Sequence, residues 1–149
     1  MTELAHNYCV QAIADSRDTV IITNHLLQSI QTEAPVDFGG SGKHWCPEDL
    51  LMAAISDCFS ISFKSIADAS KFKWSRLICK AQGHLSEVDR RIKFNHVIIE
   101  SSLCIHPEEN ERKARLLLDK AKRSCFVTNS LNCEISLRAV VLKHTDLSL

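Results

Sequence analysis

The stretch Pro47-Glu48-Asp49-Leu50-Leu51-Met52-Ala53-Ala54-Ile55-Ser56-Asp57-Cys58-Phe59 decides the reading of this chain. A proline at the first helical position leaves no bond unmade, because that N–H has no intrahelical partner. Glu48 and Asp49 complement the positive end of the helix that follows. The helix is expected to run to about Ser70. Leu50, Leu51, Ala54, Cys58, Ile61 and residues 63–66 cover much of its circumference with apolar surface, the pattern of a central, buried helix. Cys58 stands on it ten positions after Glu48 (58 minus 48). A second thiol, Cys125, lies in Ser124-Cys125-Phe126-Val127-Thr128-Asn129-Ser130-Leu131, just after a charged helix and just before a strand. A helix thiol and a helix-end thiol are the parts needed for a peroxidatic and a resolving cysteine.

Outward from that helix, the elements alternate. Residues 6–15 alternate imperfectly, with Tyr8, Val10, Ala12 and Ala14 facing one way. Asp15-Ser16-Arg17-Asp18 is a polar turn. Thr19 to Thr23 is β-branched and strand-like, and the next stretch through Thr32 reads as a further strand. Residues 35–46 hold Pro35, Gly39, Gly40 and Gly42 and form a loop. After the helix, residues 74–87 and 91–105 read as two long strands around the Glu87-Val88-Asp89-Arg90 turn, with a slip in the middle. Pro107 opens a second helix, Glu108 to Ser124, acidic at its start and basic at its end. Cys133 to Lys143 makes a last strand. The order β-β-β-α-β-β-α-β argues for an α+β fold in a single domain over 1–149.

At 149 residues the chain is the size of one ordinary domain and needs no disulfide staples to hold a core. Lys+Arg and Asp+Glu balance at 18 each. Without a concentrated basic face, nucleic acid is a poor partner. No apolar run approaches the ~18 residues of a membrane span, so no membrane partner is expected. Met1-Thr2-Glu3-Leu4-Ala5-His6-Asn7 lacks the basic-then-apolar shape of a signal peptide, and a cytoplasmic location is expected. The seven cysteines cannot all pair within one chain, and a reducing cytosol disfavours structural disulfides. No C-x-x-C occurs and the histidines are scattered, which gives structural zinc little support.

The run Gly39-Gly40-Ser41-Gly42-Lys43-His44-Trp45-Cys46-Pro47-Glu48-Asp49-Leu50-Leu51-Met52-Ala53-Ala54, continuing to Cys58-Phe59, resembles the OsmC/Ohr family of organic hydroperoxide reductases. So does Cys125-Phe126-Val127-Thr128-Asn129-Ser130-Leu131 after the second helix. The resemblance extends from about residue 8 to 143. It implies an OsmC-like intertwined homodimer, with antiparallel-rich sheets wrapped around long buried central helices and active sites at the subunit interface. It also implies thiol-dependent reduction of organic hydroperoxides without metal, haem or other cofactor, recycled by an external dithiol of the lipoyl type. Family members use an arginine from the N-terminal region and the helix-start glutamate, which here are Arg17 and Glu48. Two departures stand out. Ohr-type proteins follow the second cysteine with proline where Phe126 stands here, and Cys46 precedes the helix where serine or asparagine would cap better.

The chemistry needs these residue types. A free thiol near pKa 8.5 is mostly protonated at neutral pH, and burial in an apolar helix raises it further. A cation must therefore lower it. Arg17 stays charged and would steady both the sulfur and the alkoxide leaving oxygen. Glu48 would hold that guanidinium in a bidentate pair. Attack yields a sulfenic acid at Cys58, which Cys125 condenses with to give a disulfide. Exchange with the external dithiol then restores both thiols. Apolar neighbours such as Phe59, Phe126 and Leu51 would favour organic over hydrogen peroxide. Each residue also has a plainer reading. Free cysteine often just fills space, Glu48 could be only a helix-start anion, and Arg17 a solvated turn residue. Cys9, Cys79, Cys104 and Cys133 read as core or incidental, and Cys46 as a candidate third redox thiol. Two rival functions remain: a non-catalytic redox-sensing or ligand-binding module on the same fold, and a metal-binding protein using the surplus Cys and His.

Overall fold

A computed structural model describes residues 6–16 and 19–143. The chain divides into two units, Met1–Leu51 and Met52–Leu149, and the boundary falls inside the helix of the quoted stretch.

The first unit carries β1 (Gln11–Ile13), β2 (Val20–Asn24) and β3 (Leu27–Thr32), an antiparallel sheet in chain order. The strand expected over 6–15 is ordered as a ladder only at 11–13, where Gln11 to Ile13 pair with Thr23 to Ile21. Thr32 bridges to Trp45, and the Glu33 N–H donates to the Trp45 carbonyl at 3.0 Å, so the loop between them returns to the end of β3. One 3-10 turn, Val36–Phe38, lies within that loop. Gly40 follows it because a Cβ there would stand 1.7 Å from the Ala34 carbonyl oxygen, on the tight fold-back that its N–H makes with the Pro35 carbonyl.

Helix α1 (Pro47–Ala69) starts where its proline places it. Cys46 is its cap: the Leu50 N–H donates to the Cys46 carbonyl at 3.0 Å, and the Asp49 N–H to the Cys46 sulfur at 3.4 Å. The thiol thus takes the place of the serine or asparagine oxygen that normally accepts from the third helical N–H. Only one stripe of α1 is fully covered: Ile55, Phe59, Phe63 and Ala67, four residues apart. Phe63 meets Trp74 edge-on at 5.2 Å. Ile61, elsewhere on the helix, is 57% exposed. An 18-residue window of α1 has mean hydropathy 1.4, so by length and composition the helix could span a membrane, contrary to the expectation that no run approaches that size. The scattered Ser, Asp57 and Lys64 do not offset its apolar residues when the whole window is summed.

The second unit is built on β4 (Trp74–Val88), β5 (Arg91–Ile105) and β6 (Glu134–Lys143) in that order across the sheet. β4 and β5 form a long antiparallel hairpin, closed by Asp89 and Arg90, both at positive φ (52° and 62°). The expected slip is real: the register shifts between His84 and Leu85, and again between Trp74 and Arg76. β6 pairs with β5 in parallel, returning through α2 (Glu111–Ser124). Val97, Ile99, Ser101, Leu103 and Ile105 alternate along β5 and are buried, as are Ala114, Leu117, Leu118 and Ala121 of α2.

Helix α2 begins at Glu111, three residues later than the Glu108 start that Pro107 suggests. Asn110 caps it, its side-chain oxygen accepting from Arg112 (2.8 Å) and Lys113 (3.4 Å). Glu108 and Glu109 stay outside: the Glu109 carboxylate accepts the Lys73 N–H at 2.8 Å, and Glu108 pairs with Lys73 Nζ at 3.9 Å. A one-turn helix, α3 (Phe126–Asn129), follows Cys125 where the sequence suggested passage directly towards a strand.

Candidate active site

Cys58 lies on α1 and is partly exposed, whereas Cys125 is fully buried. Cys125 stands near enough to Cys58 to push its thiol up. Cys125 sits at a hinge between two helices, closing α2 and opening α3 with extended backbone (φ −72°, ψ 107°). The residues after it brace that hinge. Thr128 Oγ1 and the Asn129 N–H donate to the Cys125 carbonyl at 3.1 and 3.0 Å. Asn129 Nδ2 reaches back to the Arg123 carbonyl at 3.0 Å, and Ser130 Oγ donates to the Phe126 carbonyl at 2.8 Å. The Cys-Phe-Val-Thr-Asn-Ser run is therefore a clamp for one turn of backbone.

The first N–H groups of any helix lack intrahelical partners. Those of Phe126 and Val127 open α3 and bear on the Cys58 sulfur. Burial is the largest influence on Cys58 and pushes its thiol up. The Val127 N–H pulls it down, the neighbouring Cys125 pushes it up again, and the Phe126 N–H opposes this. The net displacement within one chain is upward. No feature of the sequence marks these two N–H groups, because the one-turn helix has no periodicity to read.

A third thiol is raised as well. Cys79 of β4 is pushed up to about 11, first by burial, with the Ser60 hydroxyl pulling it down and the charge of Cys125 adding to the rise. Sequence reading set it aside as a strand residue. Its place on the inward-facing side of an alternating strand was the signal that it shares the core with the helix thiols.

The first unit holds a separate feature. A cavity of about 850 Å³ is lined by Val20, Ile22, Pro35 and Phe38, with Glu33 and Glu48 as its carboxylates. Glu48 Oε2 is buried and has no hydrogen-bond partner among the described residues. Arg17, the expected activating residue, lies outside the described residues. The Glu33 carboxylate accepts from Ser41 Oγ (2.7 and 2.9 Å), the Lys43 N–H (3.0 Å) and the His44 N–H (3.3 Å). These donors, the Ser41 hydroxyl foremost, hold it at about 2 against an upward push from burial. Cys46, the candidate third redox thiol, is a helix cap that burial pushes up. No group of three or more His, Cys, Asp or Glu placed to hold a metal ion occurs among the described residues.

A mixed α+β chain with antiparallel-rich sheets and a helix-borne thiol beside a helix-end thiol defines a class of thiol proteins. The sequence profile described as OsmC-like protein matches residues 40–139, and the chain belongs to that family. Solved structures share the fold. An OsmC-like protein from Mycoplasma pneumoniae superposes with a TM-score of 0.80 at 14% identity, covering 93% of this chain and 99% of the other. An organic hydroperoxide resistance protein OsmC from Legionella pneumophila gives 0.72 at 19% identity, over 93% and 99%. An organic hydroperoxide resistance protein from Elizabethkingia anophelis, with thiocyanate bound, gives 0.73 at 19% identity, over 97% and 100%. No curated protein matches the sequence.

Proposed function

We propose that this chain is a thiol-dependent peroxidase that reduces organic hydroperoxides to alcohols as a cytoplasmic homodimer. The observation that carries the reading is the adjacency of the Cys58 and Cys125 thiols, with the Phe126 and Val127 N–H groups bearing on Cys58. Two similar structures described as organic hydroperoxide resistance proteins support it at the level of the family.

Cys58 thiolate attacks the distal peroxide oxygen, the O–O bond breaks, and the alkoxide leaves as an alcohol once protonated. Cys58 is then a sulfenic acid. Cys125 attacks it, water departs, and the Cys58–Cys125 disulfide forms. An external dithiol, of the lipoyl type, reduces that disulfide by exchange, and no bound cofactor is required. Arg17 is assigned the task of lowering the Cys58 thiol and steadying the leaving oxygen, and Glu48 the task of orienting Arg17. A buried carboxylate oxygen without a described partner suits that second role. The dimer reading rests on surface. α1 is apolar over most of its length but covered along one stripe, and Ile13, Ile21, Leu27 and Ile30 of the first sheet are exposed. A second copy would cover such faces.

A second reading has its own support. Burial leaves the Cys58 thiol raised, which suits a slow redox sensor better than a fast peroxidase. A steady-state assay with cumene hydroperoxide and dihydrolipoamide separates the two. Sustained turnover that falls to the uncatalysed rate in Cys58→Ser, and falls strongly in Arg17→Ala, supports the peroxidase. One oxidation per chain with no turnover supports the sensor. Equal rates with hydrogen peroxide would remove the organic preference.

A further inference from the structure

In a chain whose charges balance, helix α2 is unbalanced: it holds six lysines and arginines against Glu111 and Asp119 alone. Its covered face carries Ala114, Leu117, Leu118 and Ala121. Away from that face, Arg112, Leu116, Lys120 and Arg123 follow one another at i, i+4, i+8 and i+11, and all four are exposed. At 1.5 Å per residue this stripe is about 16 Å long. Leu116 stands inside it, 58% exposed among cations.

Helix chemistry alone does not account for the stripe. Cations are favoured at the negative, C-terminal end of a helix, which suits Arg123, but Arg112 stands in the first turn, where a cation is unfavourable. Pairing at i,i+4 joins Arg115 to Glu111 at 2.9 Å. Arg112, Lys120 and Arg123 join no carboxylate among the described residues, although Asp119 precedes Arg123 by four. The stripe also ends at the thiol pair. Cys125 follows Arg123 by two residues, and Phe126 after it is 74% exposed. The Cys125 N–H donates to the Lys122 carbonyl at 3.4 Å, and Asn129 Nδ2 to the Arg123 carbonyl at 3.0 Å. The last turn of α2 and the turn of α3 are thereby held as one piece, with three unpaired cations and two exposed apolar side chains leading to Cys125.

We propose that the Arg112–Arg123 stripe and Phe126 form the docking surface for a protein with an acidic face that carries the reducing dithiol. The inference rests on the peroxidase reading, which requires that dithiol. A small uncharged dithiol gains nothing from a row of cations about 16 Å long. A carrier protein with surface carboxylates does: long-range attraction raises its encounter rate and sets its orientation, and Leu116 and Phe126 supply the apolar contact at short range. A membrane is the poorer partner, because the apolar face that would enter it is already turned into the core. Once the carrier is docked, one of its sulfurs attacks Cys58, the more exposed of the two disulfide sulfurs, and Cys125 leaves as a thiolate. The second carrier sulfur attacks the first, the carrier disulfide closes, and Cys58 is released. The carrier gives up two electrons and two protons, and both protons end on the restored Cys58 and Cys125 thiols.

The test compares reductants on the full-length protein with cumene hydroperoxide as substrate. Peptides holding one dihydrolipoyl-lysine, flanked by glutamates, by glutamines or by lysines, are assayed beside free dihydrolipoamide. The glutamate peptide should exceed the glutamine peptide about tenfold in kcat/KM at low salt, the lysine peptide should fall below both, and the differences should vanish by about 0.5 M salt. Combining Arg112→Gln, Lys120→Gln and Arg123→Gln should abolish the glutamate advantage and leave the rate with free dihydrolipoamide unchanged, which also shows that the variant is folded. Lys120→Gln alone should remove part of it. If the peptides serve the wild type alike while free dihydrolipoamide sustains turnover, or if the preference survives in the triple variant, the docking proposal is overturned and the peroxidase reading stands. Peptides that serve alike, together with retention of the wild type on vesicles of anionic lipid, would assign the stripe to a membrane instead. If no dithiol sustains turnover, both readings fall.

Discussion

Replacing Ser101 by alanine should make this protein more stable, and the size of the gain follows from the structure. The Ser101 hydroxyl is buried and lacks a protein partner. Burying an unpartnered hydroxyl costs ~1–3 kcal/mol. Removing a single oxygen returns a few tenths of that as a cavity penalty, at about 24 cal/mol per Å³. The expected net gain is about 1–2 kcal/mol. For a chain of this length each kcal/mol moves the melting temperature by about 3 °C, so Tm should rise by roughly 3–6 °C. Thr128 supplies the matched control. It too is 5% exposed, but its hydroxyl donates to the Cys125 carbonyl at 3.1 Å, and Thr128→Val should lower stability by about 1 kcal/mol. Thermal unfolding of the reduced proteins at one fixed concentration decides the matter. A Tm for Ser101→Ala that is unchanged or lower would mean the hydroxyl is satisfied in solution, and the reasoning from its burial would fail.

Glu33 should make the loop before α1 acid-sensitive. Its carboxylate is held at about 2, below the ordinary 4.5, so its contribution is complete above about pH 4.5 and is lost as pH falls towards 2; amide exchange at Lys43 and His44 should follow that window in the wild type and be fast throughout in Glu33→Gln. Gly83→Ala places a Cβ 2.6 Å from the Phe94 ring and 2.8 Å from Met52 Cε. Overpacking of ~1–3 kcal/mol, less ~0.5–1 for removing a strand glycine, should leave it about 1–2 kcal/mol less stable by urea unfolding, and an unchanged midpoint would mean that Phe94 yields freely. Arg90→Gly relieves a positive φ in the β4–β5 turn and should stabilise by about 1 kcal/mol, whereas a loss would show that the arginine side chain holds the turn.

The parts of the fold written in local chemistry could be read from the sequence. Pro47, Glu48 and Asp49 marked the start of α1, and alternation marked β4 to β6, because each signal acts within a few residues of itself. The start of α2 was misplaced because Pro107 is a strong signal, yet Asn110 offers two N–H groups an acceptor and wins. The parallel pairing of β6 with β5 depends on long-range register, which alternation does not encode. At the site, the side chains Cys58 and Cys125 were legible and their backbone surroundings were not.

The balance of forces on Cys58 bears on what the thiol pair requires to act. Two backbone N–H groups favour the thiolate, burial opposes them, and burial wins within one chain. The α3 clamp thus orients the sulfur and supplies donors, but it does not generate the thiolate at neutral pH. A fixed positive charge would reverse that balance without altering the clamp. Arginine suits the task, because it stays ionised in apolar surroundings where lysine would shed its proton. If Arg17 fills this role, the alkylation rate of Cys58 should climb to its plateau at lower pH in the wild type than in Arg17→Ala, and Glu48→Gln should fall between the two. Superimposable profiles would detach Arg17 and Glu48 from Cys58 and move the redox-sensor reading ahead of the peroxidase.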